Sequence, residues 1–157
     1  ISNYGLSFGL FAPCCGDSET FSINYIPEIL IQGSRTIGNS INITFSNAFF
    51  WEQDYMLMMA LGTEPGYALK DGRIIPLNAT PGSVLHESIY LPEKLGFFNS
   101  QGTLDANGQA TATLNIPDIP ELEGFTVSFA FVTLNNSRPM PEAILYISSP
   151  ESMIIEL

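Results

Sequence analysis

The chain contains one histidine, His86, set between Leu85 and Glu87. A Ser-His-Asp assembly would need both a serine and a carboxylate beside it. No G-x-S-x-G segment supplies an exposed nucleophilic serine. Carboxylates two apart occur at Glu52 with Asp54 and at Glu121 with Glu123. Glycoside hydrolysis needs two such groups facing each other across a cleft, and spacing alone does not provide that. The run Trp51-Glu-Gln-Asp-Tyr55 is the one carboxylate pair flanked by aromatics, and it is a candidate sugar-binding surface. Asp105-Ala-Asn-Gly108 imitates the start of a calcium loop, but its glycine stands at the fourth position instead of the sixth. An Asn-Gly hairpin turn accounts for it. Two cysteines and one histidine are too few for a structural zinc site. These residues predict no enzyme, no metal and no cofactor.

Cys14 and Cys15 are adjacent. A bridge between neighbours is strained, because trans Cα atoms lie ~3.8 Å apart against a usual minimum near ~4.4 Å. The alternatives are that strained disulfide, bridges to other chains, or two buried thiols.

Sixteen acidic residues against five basic ones give a net charge of −11, and the basic residues are scattered singly. No basic patch is present to neutralise phosphates, so nucleic acid and anionic membrane surfaces are poor partners. No apolar run approaches the roughly 18 to 20 residues that span a bilayer, which predicts no membrane insertion. The sequence starts at Ile1 without a methionine, as expected of a mature or excised chain. Sequons at Asn42, Asn78 and Asn135 are candidate glycosylation sites, and together with the low lysine content they suit an extracellular or cell-surface protein.

The elements that would position these residues are strands. Ile37, Ile41, Ile43 and Phe45 fall on one face of an alternating run, with Ser40, Asn42 and Thr44 on the other. Ala110 to Ile116 and Phe125 to Phe131 alternate in the same way, and Val84–Tyr90 and Ala143–Ile147 read as further strands. Tyr55 to Leu61 is apolar on both faces, as in a central strand or a short buried helix. Eleven prolines and thirteen glycines interrupt any long helix. The expectation is one all-β domain over residues 1–157, an antiparallel β-sandwich of Ig-like or jelly-roll-like form.

Both termini are apolar. Tyr4, Leu6, Phe8 and Leu10 fall on one face of a strand over residues 1–12, opposite Asn3, Gly5, Ser7 and Gly9. Burying each of those four is worth roughly 1.5 to 3 kcal/mol, so the stripe needs a cover. It is either the first strand of its own sandwich or a donor strand that completes a neighbour's sheet. The extension 149–157 carries Met153, Ile155 and Leu157, expected to dock on this domain or on a neighbour.

The stretch Gly102-Thr-Leu-Asp-Ala-Asn-Gly108, followed by Gln-Ala-Thr-Ala-Thr-Leu-Asn-Ile-Pro117, Pro120-Glu-Leu-Glu-Gly-Phe125 and Ala143-Ile-Leu-Tyr-Ile147, resembles a known pattern. It is similar to a β-sandwich module of large secreted proteins of environmental bacteria, which reads T-D-A-x-G-x-A-T-x-x-L-x-I-P. The resemblance implies an extracellular, non-catalytic module and names no ligand. This chain lacks that pattern's second, distant cysteine and continues past its closing strand.

The function expected from these features is a structural subunit of a fibre or surface layer, its partners copies of itself joined by the Tyr4–Leu10 strand. The alternative is a surface binding or adhesion module for a glycan or protein, using the loops around Trp51 and Tyr55.

Overall fold

The structure, a computed structural model, describes residues 27–80 and 83–157. The Tyr4–Leu10 stripe and the Cys14–Cys15 pair lie outside the described residues. In chain order the elements are β1 (Ile29–Gly33), β2 (Ser40–Ser46), β3 (Asp54–Ala60), β4 (Tyr67–Ala68), β5 (Ile74–Ile75), α1 (Val84–Tyr90), β6 (Phe97–Phe98), β7 (Gln101–Thr103), β8 (Gln109–Asn115), β9 (Thr126–Leu134), β10 (Ile144–Ile147) and β11 (Glu151–Ile154).

Two antiparallel sheets form a sandwich. One has the order β1-β2-β8-β6; the other runs β10-β9-β3-β7, with β11 also paired to β9. The alternation in β2 and β8 works as read: Ile41, Ile43, Phe45, Ala112 and Leu114 face inward, while Asn42, Thr111 and Asn115 are exposed. Their inner faces meet Tyr55, Leu57 and Met59 of β3 and Val127, Phe129 and Phe131 of β9. Phe45 sits edge-on to Tyr55 at a centroid distance of 4.8 Å and 5.0 Å from Phe131. Each fully buried ring of this kind contributes roughly 1.5 to 3 kcal/mol by leaving water.

The five-stranded sheet is buried on its other face too. Met58, Ala60, Ala130, Val132 and Leu134 form a second core with Ile75, Leu77, Leu85 and Ile144. The β4–β5 hairpin and α1 cover this face. Ser128 and Ala130, on the face opposite Phe129 and Phe131, are therefore buried too, and Ser128 shares a 2.7 Å hydrogen bond with Ser152. The doubly apolar run of β3 is a strand between β9 and β7, as its composition suggested.

Val84–Tyr90 is a helix, which corrects the strand expectation. Leu85 and Ser88 are buried and Val84 and Ile89 half-buried, a three-to-four spacing that puts one side onto β3. Ser83 stands at the N-cap position and Pro92 begins a 3-10 turn just beyond Leu91. With two turns of helix, the period-2 and period-3.6 patterns are hard to separate by sequence.

The Asp105–Gly108 turn is also real, but it joins β7 in one sheet to β8 in the other and is not a hairpin within one sheet. The Asp105 carboxylate accepts the N–H groups of Asn107 and Gln109 at 2.8 and 2.9 Å. Only Gly108 takes a positive φ, of 72°, and a side chain there would collide with the Asn47 carbonyl.

Candidate functional site

The residues singled out for catalysis are dispersed. His86 lies on the exposed side of α1, its ring 4.6 Å from that of Tyr90 one turn on. Asp54 opens β3, and its carboxylate accepts Thr103 Oγ1 at 2.9 Å and the Asn136 carboxamide, tying β7 and the loop after β9 together. Glu52 is exposed in the left-handed region, with φ 57°. Glu121 and Glu123 are exposed beside a 3-10 turn. Among the described residues no group of three or more His, Cys, Asp or Glu side chains could hold a metal ion, and no helix is long and apolar enough to cross a membrane.

Trp51 and Tyr55 separate. Tyr55 is 6% exposed in the core, where its hydroxyl donates to the Asn99 carbonyl at 2.8 Å and burial pushes its phenol above the ordinary tyrosine range. Trp51 is 54% exposed and Phe49, two residues before it, is 92% exposed. Phe50 turns inward instead, its ring 5.4 Å from that of Tyr146. Of the C-terminal residues, Met153 and Ile155 belong to the inner core of this domain, on β11 and just after it. Among the described residues, Leu157 is left 65% exposed.

The three sequons differ in setting. Asn42 is exposed in the middle of β2, and its side-chain oxygen accepts Thr113 Oγ1 at 3.1 Å. Asn78 and Asn135 head tight loops in which the side-chain oxygen accepts both the N–H and the hydroxyl of the residue two further on, Thr80 and Ser137 respectively.

One edge of the sandwich is open. Ser46 N–H donates to the Glu28 carbonyl at 2.9 Å, which sets the phase of the β1–β2 ladder. The N–H and C=O groups of Ile29, Ile31 and Gly33 consequently point away from β2. Among the described residues no strand pairs on that side. β1 is the longest edge strand of either sheet and holds neither a charge nor a proline, two devices that commonly blunt an edge. Nearby, the C-terminal residues return to this side. Glu156 accepts from Ile37 N–H at 2.9 Å and donates to the Arg35 carbonyl at 3.0 Å, and Glu28 accepts Ser149 N–H at 2.9 Å.

A second feature escaped the sequence reading. The chain leaves β6 in one sheet and enters β7 in the other within two residues, Asn99 and Ser100. Asn99 makes this corner with φ 56°, a conformation that asparagine tolerates better than most residues. A cleft of about 350 Å³ opens there between the corner and the end of α1, lined in part by Tyr90, Glu93, Phe98, Asn99 and Gln101. No spacing rule marks such a corner, and the Phe97-Phe-Asn99 run is its only sequence trace. No known protein family, curated protein or solved structure matches the chain.

Proposed function

We propose that this is a non-catalytic extracellular subunit that assembles with copies of itself by strand addition, the Tyr4–Leu10 stripe of one chain pairing along β1 of the next. The observation that carries this reading is the side of β1 on which no strand pairs among the described residues, which offers a row of backbone donors and acceptors to an added strand. The stripe has the composition such a strand needs, with large apolar side chains on one side and Asn, Gly and Ser on the other. A head-to-tail contact of this kind that does not close into a ring yields a filament. The sequons, the scarcity of lysine and the resemblance to secreted β-sandwich modules support the extracellular setting.

The test compares particle size, by light scattering and electron microscopy, for the full chain, a residue 1–11 deletion and Ile31→Pro. The Ile31 N–H points away from β2, so proline removes an edge donor without removing a β1–β2 hydrogen bond. Filaments or large oligomers from the full chain, and folded monomers from both variants, are the expected outcome. A monomeric full chain would assign the stripe to its own sandwich and overturn the proposal.

A further inference from the structure

We infer that the corner cleft between α1 and β6–β7 is a binding site for a neutral oligosaccharide, separate from the β1 edge. Three observations converge on it. Its rings are presented to solvent: Tyr90 is 68% exposed and Phe98 is 40% exposed, and both line the cleft. Large aromatics usually leave water when they have the choice, and the same sheet places Phe97 inside the core at 0% exposure. An aromatic face in a cleft is a platform for the C–H face of a sugar ring.

The second observation is hydrogen-bonding capacity without a committed partner. Asn99 and Glu93 line the cleft, and among the described residues only their backbone carbonyls are engaged, by Tyr55 Oη and by Gly96 N–H. Gln101 donates its Nε2 to the Ile89 carbonyl at 2.8 Å, which orients the side chain and leaves its oxygen as an acceptor. The frame behind these groups is held in place. Tyr55 Oη fixes the Asn99 carbonyl, and Leu57 N–H donates to the Ser100 carbonyl at 2.7 Å. A few convergent polar groups on a preformed surface, beside apolar walls, are what a small-ligand site requires, and the volume falls at the small end of such sites.

The third observation is charge, which selects the ligand. Among the described residues no lysine or arginine lines the cleft, and Glu93 is the one charged side chain there. Lys94 next in sequence is engaged by Glu87 at 3.1 Å. Anionic ligands are therefore disfavoured, and a ligand rich in hydroxyls with no charge fits. The neighbouring surface continues the same chemistry. Phe98 stands opposite Thr113 of β8, Thr113 opposite Asn42 of β2, and Asn42 opposite Gln32 of β1. This uncharged row crosses the whole four-stranded sheet over about 14 Å at the usual strand spacing, on a chain of net charge −11. A saccharide chain seated in the cleft has room to extend along it.

The experiment is calorimetric titration of the full chain with cellohexaose, xylohexaose, mannohexaose and chitohexaose, and with hexagalacturonate as the anionic control. At least one neutral hexasaccharide is expected to bind and hexagalacturonate to fail. Tyr90→Ala is expected to weaken binding about tenfold, as loss of an aromatic platform does, with the thermal midpoint unchanged because the ring is exposed. Asn99→Gly, which accepts the positive φ while removing the carboxamide, is expected to weaken binding as well. Absence of binding by all four neutral probes at millimolar concentration would overturn the inference. So would equal binding of hexagalacturonate, or wild-type affinity in both variants. None of these results bears on assembly, which the residue 1–11 deletion reads separately.

Discussion

The hydroxyl of Ser88 on α1 lies against both backbone groups of Met59 on β3, 3.1 Å from its N–H nitrogen and 3.2 Å from its carbonyl oxygen. Beyond Met56, β3 has no strand on this side among the described residues: β7 pairs only with Asp54 to Met56, and the Ser100 carbonyl takes the Leu57 N–H. One helix side chain thus finishes the edge that the short β7 leaves unpaired. The Leu85 carbonyl, 2.8 Å from the same hydroxyl, holds it in place. Ser148 does similar work on β9, where its hydroxyl accepts Phe131 N–H at 2.9 Å between β10 and β11.

Ser88→Ala leaves the Met59 N–H buried without a partner, and is expected to destabilise the fold by about 1 to 3 kcal/mol. Urea denaturation at neutral pH measures this. Amide exchange at Met59 should accelerate more than exchange at Leu57, whose acceptor is untouched. Equal protection at both amides in the variant would show that the hydroxyl carries no such role.

Thr133 presents the opposite case. It is fully buried on the inner face of β9, opposite Tyr55 and Tyr146, and its hydroxyl has no hydrogen-bond partner among the described residues. A buried hydroxyl without a partner costs about 1 to 3 kcal/mol on protein-derived scales. Thr133→Val keeps the shape and removes the polar atom, so a gain of about 1 kcal/mol is expected. Thr133→Ser removes the methyl instead and should lose about 1 kcal/mol. A loss of stability in the valine variant, read from the same urea curves, would mean the hydroxyl is satisfied in solution.

Arg73 anchors the β4–β5 hairpin that covers the second core. Its guanidinium donates to the Ile144 carbonyl at 2.7 Å and the Pro141 carbonyl at 3.1 Å, and to the Asp71 carboxylate at 2.6 and 2.9 Å. The side-chain hydrogen bonds from Arg73 hold the Asp71 carboxyl below the usual carboxylate range. A lowered folded value means the contribution is present at neutral pH and is lost as pH falls from about 4, the unfolded value, through the lower folded one. Arg73→Ala is expected to cost about 1 to 2 kcal/mol at pH 7, from the two backbone carbonyls left without a donor. Asp71→Asn should cost less at pH 7, and its deficit should shrink below about pH 4, as the wild type loses the same charge. Stability curves of the three proteins between pH 2 and 7 test the sign.

How far the sequence reached depends on whether a signal was local. Alternation in β2 and β8 depends on residues two apart, so Ile41, Ile43, Phe45, Ala112 and Leu114 could be assigned inward before any fold was known. The same rule put Ser128 and Ala130 on the face opposite Phe129 and Phe131, but it does not say that a second layer buries that face. It also misread Val84–Tyr90, a helix too short to reveal its period. Trp51 and Tyr55, four residues apart in sequence, end on opposite sides of the boundary between solvent and core. Asn99, in the Phe97-Phe-Asn99 run, has its positive φ at the point where the chain changes sheets, a crossing no spacing rule marks.

By itself, then, the sequence determined the strand-rich class, the inward faces of the four-stranded sheet, the turn at Gly108 and a strongly acidic chain without a basic patch. Each of these follows from backbone preference or from spacing within a few residues. Long-range packing settled that the five-stranded sheet is covered twice, that no described strand pairs with the outer side of β1, and that Tyr90, Phe98 and Asn99 share a cleft. Those outcomes depend on which distant segments pair. Ser88 and Met59 stand 29 residues apart, and no local preference at either one specifies the other.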